Sequence, residues 1–173
     1  MLTPKYLYHM KTETLSKTIR SSGFFHVKAE RLQNFLSYLF SRWEGHLHHM
    51  FRTPGAVLRK ELLEVHGLGK ETVDSILLYA GEKPFFVVDT YTRRIFSRHG
   101  LLRRDEDYDE IQGYFMRNLP RQSVLFNEYH ALLVEVGKRF CRTKPLCERC
   151  PLDPLPRTQK GCYRLLNSAE ENK

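Results

Sequence analysis

Glu64-Val65-His66-Gly67-Leu68-Gly69-Lys70-Glu71-Thr72 is the stretch on which the fold turns. Upstream of it, Thr53-Pro54 reads as a helix start, with Thr as N-cap and Pro in the first turn. That helix is expected to run through Leu58, Leu62 and Leu63 to Val65. His66-Gly67-Leu68-Gly69 breaks it, because glycine tolerates positive φ and lets another backbone come close. A second helix comes next, with Val73, Ile76, Leu77 and Ala80 facing inward. The amides of Leu68, Gly69 and Lys70 are then expected to point outward at its start. Helix starts of this kind bind anions without a charged side chain. On DNA the anion is a backbone phosphate, a contact that positions a protein and reads no sequence. A plain packing hairpin with a glycine C-cap carries the same local signature, so Gly67-x-Gly69 points to phosphate only in company.

Working outward, segment 12–20 reads as a helix that stops at Ser22-Gly23. Segment 27–44 carries Val27, Leu32, Phe35, Leu36, Leu39 and Phe40 on one helical face. Pro84-Phe85-Phe86-Val87-Val88 is apolar and short, with no sheet on offer nearby, and is expected to be a buried connector. Asp89 opens a helix over 90–99, and further helices are expected near 107–118 and 123–139, the last with Leu125, Leu132, Leu133 and Val136 at helical spacing. The picture is all-α, with a helical domain over 1–139 and a small cysteine-rich module and tail over 140–173.

The chain has 173 residues, 41% of them hydrophobic, which is enough for a packed core. Its net charge of +8 and pI near 9.4 suit a polyanionic partner, with simple solubility as the bland alternative. Arg93, Arg94, Arg98, Arg103 and Arg104 come closely after Asp89, and a charge run of this sort is usually a solvated face. No apolar run approaches a membrane span, and the start lacks the pattern of a signal peptide, so an intracellular protein with reduced thiols is expected. The four cysteines, Cys141, Cys147, Cys150 and Cys162, have the spacing C-x5-C-x2-C-x11-C. Clustered thiols in a reducing compartment favour a metal site over disulfides, and four thiolates hold either a [4Fe-4S] cluster or zinc.

Taken in order, the hairpin 64–72, the segment Val88-Asp89-Thr90-Tyr91, the loop Ser22-Gly23-Phe24-Phe25-His26-Val27-Lys28-Ala29 and the run Cys141 to Cys150 resemble the endonuclease III superfamily of helix-hairpin-helix DNA glycosylases. The resemblance covers nearly the whole chain. It implies a base-excision glycosylase that grips damaged double-stranded DNA through Gly67, Leu68, Gly69 and Lys70, inserts Phe24 into the duplex, and uses Asp89 as its carboxylate. A core Phe after a helix stop is the alternative for Phe24, and a helix N-cap is the compatible alternative for Asp89. Cleaving an N-glycosidic bond passes through an oxocarbenium-like sugar, which a nearby carboxylate stabilises while orienting or deprotonating a water.

Bifunctional members of the family carry a lysine two residues past the second hairpin glycine, where it forms a Schiff base. That position here is Glu71, and Lys70 lies about 100° away on the helical wheel. The resemblance therefore implies a monofunctional, water-using enzyme, with Gly-Lys-Glu similar to the 3-methyladenine glycosylase III branch. It also selects [4Fe-4S] over zinc for Cys141, Cys147, Cys150 and Cys162. The first cysteine gap is one residue short of the family's and the last is longer, which leaves a three-cysteine site open. Family members have further N-terminal helices, so a fragment, a misassigned start or a reduced form is expected. A monomer in the cytoplasm, associated with the nucleoid, completes the expectation. A non-catalytic hairpin DNA-binding module, and a bifunctional enzyme using Lys70, stand as the alternatives.

Overall fold

The computed structural model describes residues 3–103 and 105–155, and among them every regular element is a helix, as the periodicity implied. The chain divides into two compact units, Met1–Leu77 and Leu78–Lys173.

The first unit contains α1 (Pro4–Tyr8), α2 (Thr12–Thr18), a 3₁₀ turn (Arg20–Ser22), α3 (Phe25–Trp43), α4 (Leu47–Phe51), α5 (Gly55–Glu64) and α6 (Lys70–Ser75). Helices α1, α2 and α4 pack on α3, while α5 packs on α4 and α6. Ala29, Leu36 and Leu39 carry the buried stripe of α3, but Val27, in its first turn, is exposed. Helix α5 begins one residue later than the Thr53-Pro54 signal suggested. Pro54 is itself the N-cap, with ψ 137°, and no side chain caps the helix. Leu58 and Leu62 point into the core as expected.

Longer-range side-chain bonds hold the hairpin. Arg59 on α5 donates from Nε to Asp74 Oδ1 at 2.7 Å and from its terminal nitrogen to Asp74 Oδ2 at 3.0 Å. The Asp74 side chain is fully buried, so this two-pronged pair locks α5 to α6 where water cannot compete. Asn34 on α3 donates to the His66 carbonyl at 3.1 Å, tying the turn to the long helix.

After Ser75 the helix widens into a π turn over Ile76–Ala80. A π turn accommodates an extra residue and rotates the chain beyond it. Leu77 and Leu78 are both buried, whereas Ala80, expected to face inward, is exposed.

The second unit is built on the connector 84–88, which is not a strand. Phe86, Val87 and Val88 are buried, and the backbone groups are served from α8 (Tyr108–Asn118): Gln112 donates to the Phe86 carbonyl at 2.8 Å. Phe86 stacks on Phe115 with centroids 3.9 Å apart and meets Phe126 edge-on at 5.4 Å. Helix α7 (Thr90–Arg98) packs on α9 (Ser123–Arg139). Gly137 makes that approach possible, because a Cβ there would lie 2.3 Å from a Tyr91 ring carbon. The inward stripe of α9 runs through Phe126, His130, Leu133 and Val136. Leu132, expected on it, is 57% exposed.

Candidate active site and nucleic-acid interface

In the hairpin, Gly67 adopts φ +89°, which an L side chain rarely takes, and a Cβ there would come within 2.5 Å of Arg31 Cγ. Gly69 is different. It is the extended N-cap of α6, and a Cβ would meet nothing within 4 Å, so the space before this helix start is open. One expectation is corrected. The Leu68 amide does not face outward, because it donates to the Val65 carbonyl at 3.0 Å and closes the turn. Lys70 and Glu71 sit in the first turn of α6, where an acidic side chain is favoured by the helix dipole.

Phe24 is 88% exposed and left-handed, with φ 49° and ψ 33°, at the N-cap of α3. It is not a core residue. A bulky side chain with positive φ is uncommon and costs of order 1 kcal/mol or more, and such strain gathers at working surfaces.

In the second unit, Asp89 is the N-cap of α7. Its Oδ1 accepts from the Thr92 amide at 2.7 Å and from the Thr92 hydroxyl at 2.9 Å. Its Oδ2 lies 3.6 Å from Nε2 of His130, a contact longer than a hydrogen bond. Burial by itself would raise the Asp89 pKa, but the His130 imidazole and the Thr92 donors outweigh it and hold the carboxyl below its ordinary value. On the far side of the imidazole, Nδ1 is paired with the Tyr79 hydroxyl. The result is an ionised, immobilised carboxylate at a helix start, able to stabilise positive charge or to orient water.

Residues 1–121 match the model of a protein family described as HhH-GPD superfamily base excision DNA repair protein. The chain belongs to this superfamily. It is 44% identical over 148 residues to a protein of Methanocaldococcus jannaschii named as a candidate DNA repair glycosylase, an alignment covering 84% of this chain and 67% of that one. It is 32% identical to endonuclease III of Thermotoga maritima, over 86% of this chain and 65% of the relative. The chain thus spans about two thirds of the length of these superfamily relatives. Among solved structures, a non-covalent endonuclease III–DNA complex superposes with TM-score 0.74 at 27% identity, over 91% of this chain and 69% of that one. An H. pylori 3-methyladenine DNA glycosylase bound to 1,N6-ethenoadenine superposes with TM-score 0.69 at 27% identity, over 79% and 67%.

The residues singled out in the sequence fall in separate units: Phe24 and Gly67 to Glu71 in the first, Asp89, Cys141, Cys147 and Cys150 in the second. Cys141, Cys147 and Cys150 are free thiols that line one small cavity with Ile95, Phe140 and Leu152. Arg98 donates to the Cys141 sulfur at 3.3 Å. Three thiols on one apolar wall beside a guanidinium suit a group held by thiolates. No group of three or more His, Cys, Asp or Glu among the described residues is disposed around a single metal ion. Cys162 lies outside the described residues.

The arginine run is not a solvated face as a whole. Buried Arg98 also donates to the carbonyls of Arg142 and Thr143, at 2.6 and 3.2 Å. Arg94 donates to those of Cys141 and Gly137, at 2.6 and 3.0 Å. Both clamp the cysteine loop to α7. Arg93 donates to the Glu106 carbonyl, Arg103 pairs loosely with Asp105 and Glu106, and Arg104 lies outside the described residues. Sequence reasoning missed Tyr79, Thr92 and His130. The one available signal was a titratable His130 set into the apolar stripe of α9, between Phe126 and Leu133.

Proposed function

We propose that the protein is a monofunctional DNA glycosylase that hydrolyses the N-glycosidic bond of a damaged base in duplex DNA. The observation that carries this reading is Asp89: a buried carboxylate held ionised by Thr92 and His130, in a chain of the HhH-GPD superfamily. An anion so placed stabilises the oxocarbenium-like sugar and orients water for attack. Gly69 and Lys70, at the start of α6, hold a backbone phosphate, and Phe24 fills the gap left by the flipped base. Glu71 stands where a lyase lysine would be and cannot form a Schiff base, which supports water as the nucleophile.

An alkylated purine is the proposed substrate. Its support is Gly-Lys-Glu in the hairpin and the likeness to the H. pylori enzyme bound to 1,N6-ethenoadenine. Cys141, Cys147, Cys150 and Cys162 would hold a [4Fe-4S] cluster in a module over 140–173, next to the glycosylase domain over 1–139. When bound, such a cluster supplies structural support and helps position DNA. The protein is proposed to act as a monomer on the cytoplasmic nucleoid. No helix among the described residues is long and apolar enough to cross a membrane.

The deciding experiment measures base release from duplexes carrying N-methylated purines, 1,N6-ethenoadenine, oxidised or deaminated bases. Release of an alkylated purine is the expected result. Binding to every duplex with no release from any would sink the catalytic reading and leave a DNA-binding module. Borohydride should trap no wild-type enzyme on abasic DNA, and Glu71→Lys should create a trappable adduct. Trapping of wild type that disappears in Lys70→Ala would instead establish Lys70 as a lyase nucleophile.

Phe24→Ala should leave thermal stability within about 0.5 kcal/mol, since the ring is exposed. Base release should fall by about tenfold or more, because an unfilled gap forfeits a few kcal/mol of stacking. Unchanged release would remove Phe24 from the DNA-inserting role.

A further inference from the structure

We propose that Tyr79 and His130 form a positioning relay for Asp89, with the Tyr79 hydroxyl fixing the imidazole so that His130 presents Nε2–H to the free carboxylate oxygen. The proposal rests on the reading of Asp89 as the reacting carboxylate, and it adds two residues that the hairpin and Asp89 motifs do not contain.

The geometry starts from an anomaly. His130 Nε2 is buried and makes no hydrogen bond, yet it lies 3.6 Å from Asp89 Oδ2. A buried polar nitrogen is normally satisfied, so one left short of a bond beside an anion is poised rather than idle. The other ring nitrogen, Nδ1, is hydrogen-bonded to the Tyr79 hydroxyl. A neutral imidazole has one donor and one acceptor, and its partners decide which is which. An ionised Asp89 only accepts. A proton on Nδ1 alone would turn the Nε2 lone pair toward the carboxylate, lone pair against anion in a poorly screened interior. The opposite tautomer removes that conflict. Tyr79 O–H then donates to Nδ1, and Nε2–H faces Oδ2. Burial, together with the Asp89 charge, raises the Tyr79 pKa, which keeps its hydroxyl protonated and able to donate.

Both carboxylate oxygens are thereby claimed: Oδ1 by Thr92 and Oδ2 by His130. The carboxylate is held in one orientation against rotation about its Cβ–Cγ bond. Positional control matters because a pre-oriented charge stabilises a developing cation without reorganising during the reaction. Tyr79 itself lies within the π turn at Ile76–Ala80.

The primary test is nitrogen NMR of the His130 ring in the full-length protein at neutral pH, assigned with His130→Gln. The expected signature is a neutral ring with its proton on Nε2, and loss of that single tautomer in Tyr79→Phe. A proton on Nδ1, in either a neutral or a charged ring, overturns the proposal. So does an Nε2–H tautomer untouched by Tyr79→Phe.

Single-turnover release of the base that wild type excises provides a second readout. His130→Leu suits the apolar stripe but donates nothing, and should slow release about ten- to a hundredfold, as removal of an orienting hydrogen-bond partner does elsewhere. His130→Gln, which carries an amide donor near the Nε2 position, should recover most of that rate. Affinity for undamaged duplex should be the same in both. Equal rates in wild type and His130→Leu overturn the relay. Asp89→Asn run alongside separates the two failures. Parental release in Asp89→Asn sinks the underlying reading, whereas loss there with parental release in His130→Leu sinks the relay alone.

Discussion

Replacing Asp89 by Asn is expected to lower base release about a thousandfold, the size of effect seen when a charge-stabilising or general-base group is lost. Fold and DNA binding should survive, and this makes the substitution informative. Asn is as good an N-cap as Asp, so α7 keeps its cap, and the amide oxygen can still accept from Thr92. The negative charge goes, and the oxygen facing His130 becomes an amide nitrogen that donates. Thermal stability at neutral pH should therefore fall only by what the carboxylate's charge contributes, and affinity for undamaged duplex should match the parent. The acid limb is set by the sign of the pKa shift. Because the folded protein holds the Asp89 pKa below its ordinary value, its carboxylate adds stability above that ordinary value, and the contribution is lost as pH falls through the depressed one. Asp89→Asn should flatten this part of the stability profile. Release at the parental rate would remove Asp89 from the chemistry.

Arg59→Ala is expected to destabilise the protein by about 3–5 kcal/mol, the range for removing one partner of a buried ion pair. The reason is asymmetric. Asp74 is fully buried, and the guanidinium that meets both its oxygens is gone. Since the pair joins α5 to α6, the hairpin should loosen and affinity for duplex DNA should fall with stability. Arg59→Met combined with Asp74→Leu should regain most of the loss, because an apolar pair of similar size carries no desolvation penalty. Denaturant melts of the single and double variants check this. A loss below about 1 kcal/mol in Arg59→Ala would show that the pair does not hold the hairpin.

Much of the helical order is legible because it is local. Period and caps locate α3, α5, α7, α8 and α9, and the Asp89 N-cap lies where its residue type places it. The apolar connector 84–88 is not a strand, and its residues 86–88 are buried, as its composition and surroundings imply. Errors arise where one residue changes the phase. Ala80, at the end of the π turn, is exposed although its spacing placed it inward. Leu132 keeps the spacing of the stripe in α9 but not its direction. The arginines after Asp89 depart furthest from expectation, since Arg94 and Arg98 bind the Cys141 and Arg142 carbonyls of the cysteine loop, more than forty positions along the chain.

By itself, then, the sequence determined the hairpin, the Glu71 substitution, the spacing of the cysteines and the position of the carboxylate, all of which are encoded by residues close together along the chain. Only the tertiary structure decided that Phe24 faces solvent, that the Leu68 amide is spent in the turn, and that Tyr79 and His130, 51 positions apart, meet beside Asp89. The physical reason is that helical period says which residues share a face, but not what that face will meet. Exposure, tautomer and charge state are settled by the partner across the contact, and that partner comes from packing. The Gly67-Leu68-Gly69 turn was visible in the sequence, whereas the atoms that hold Asp89 in place became visible only in the fold.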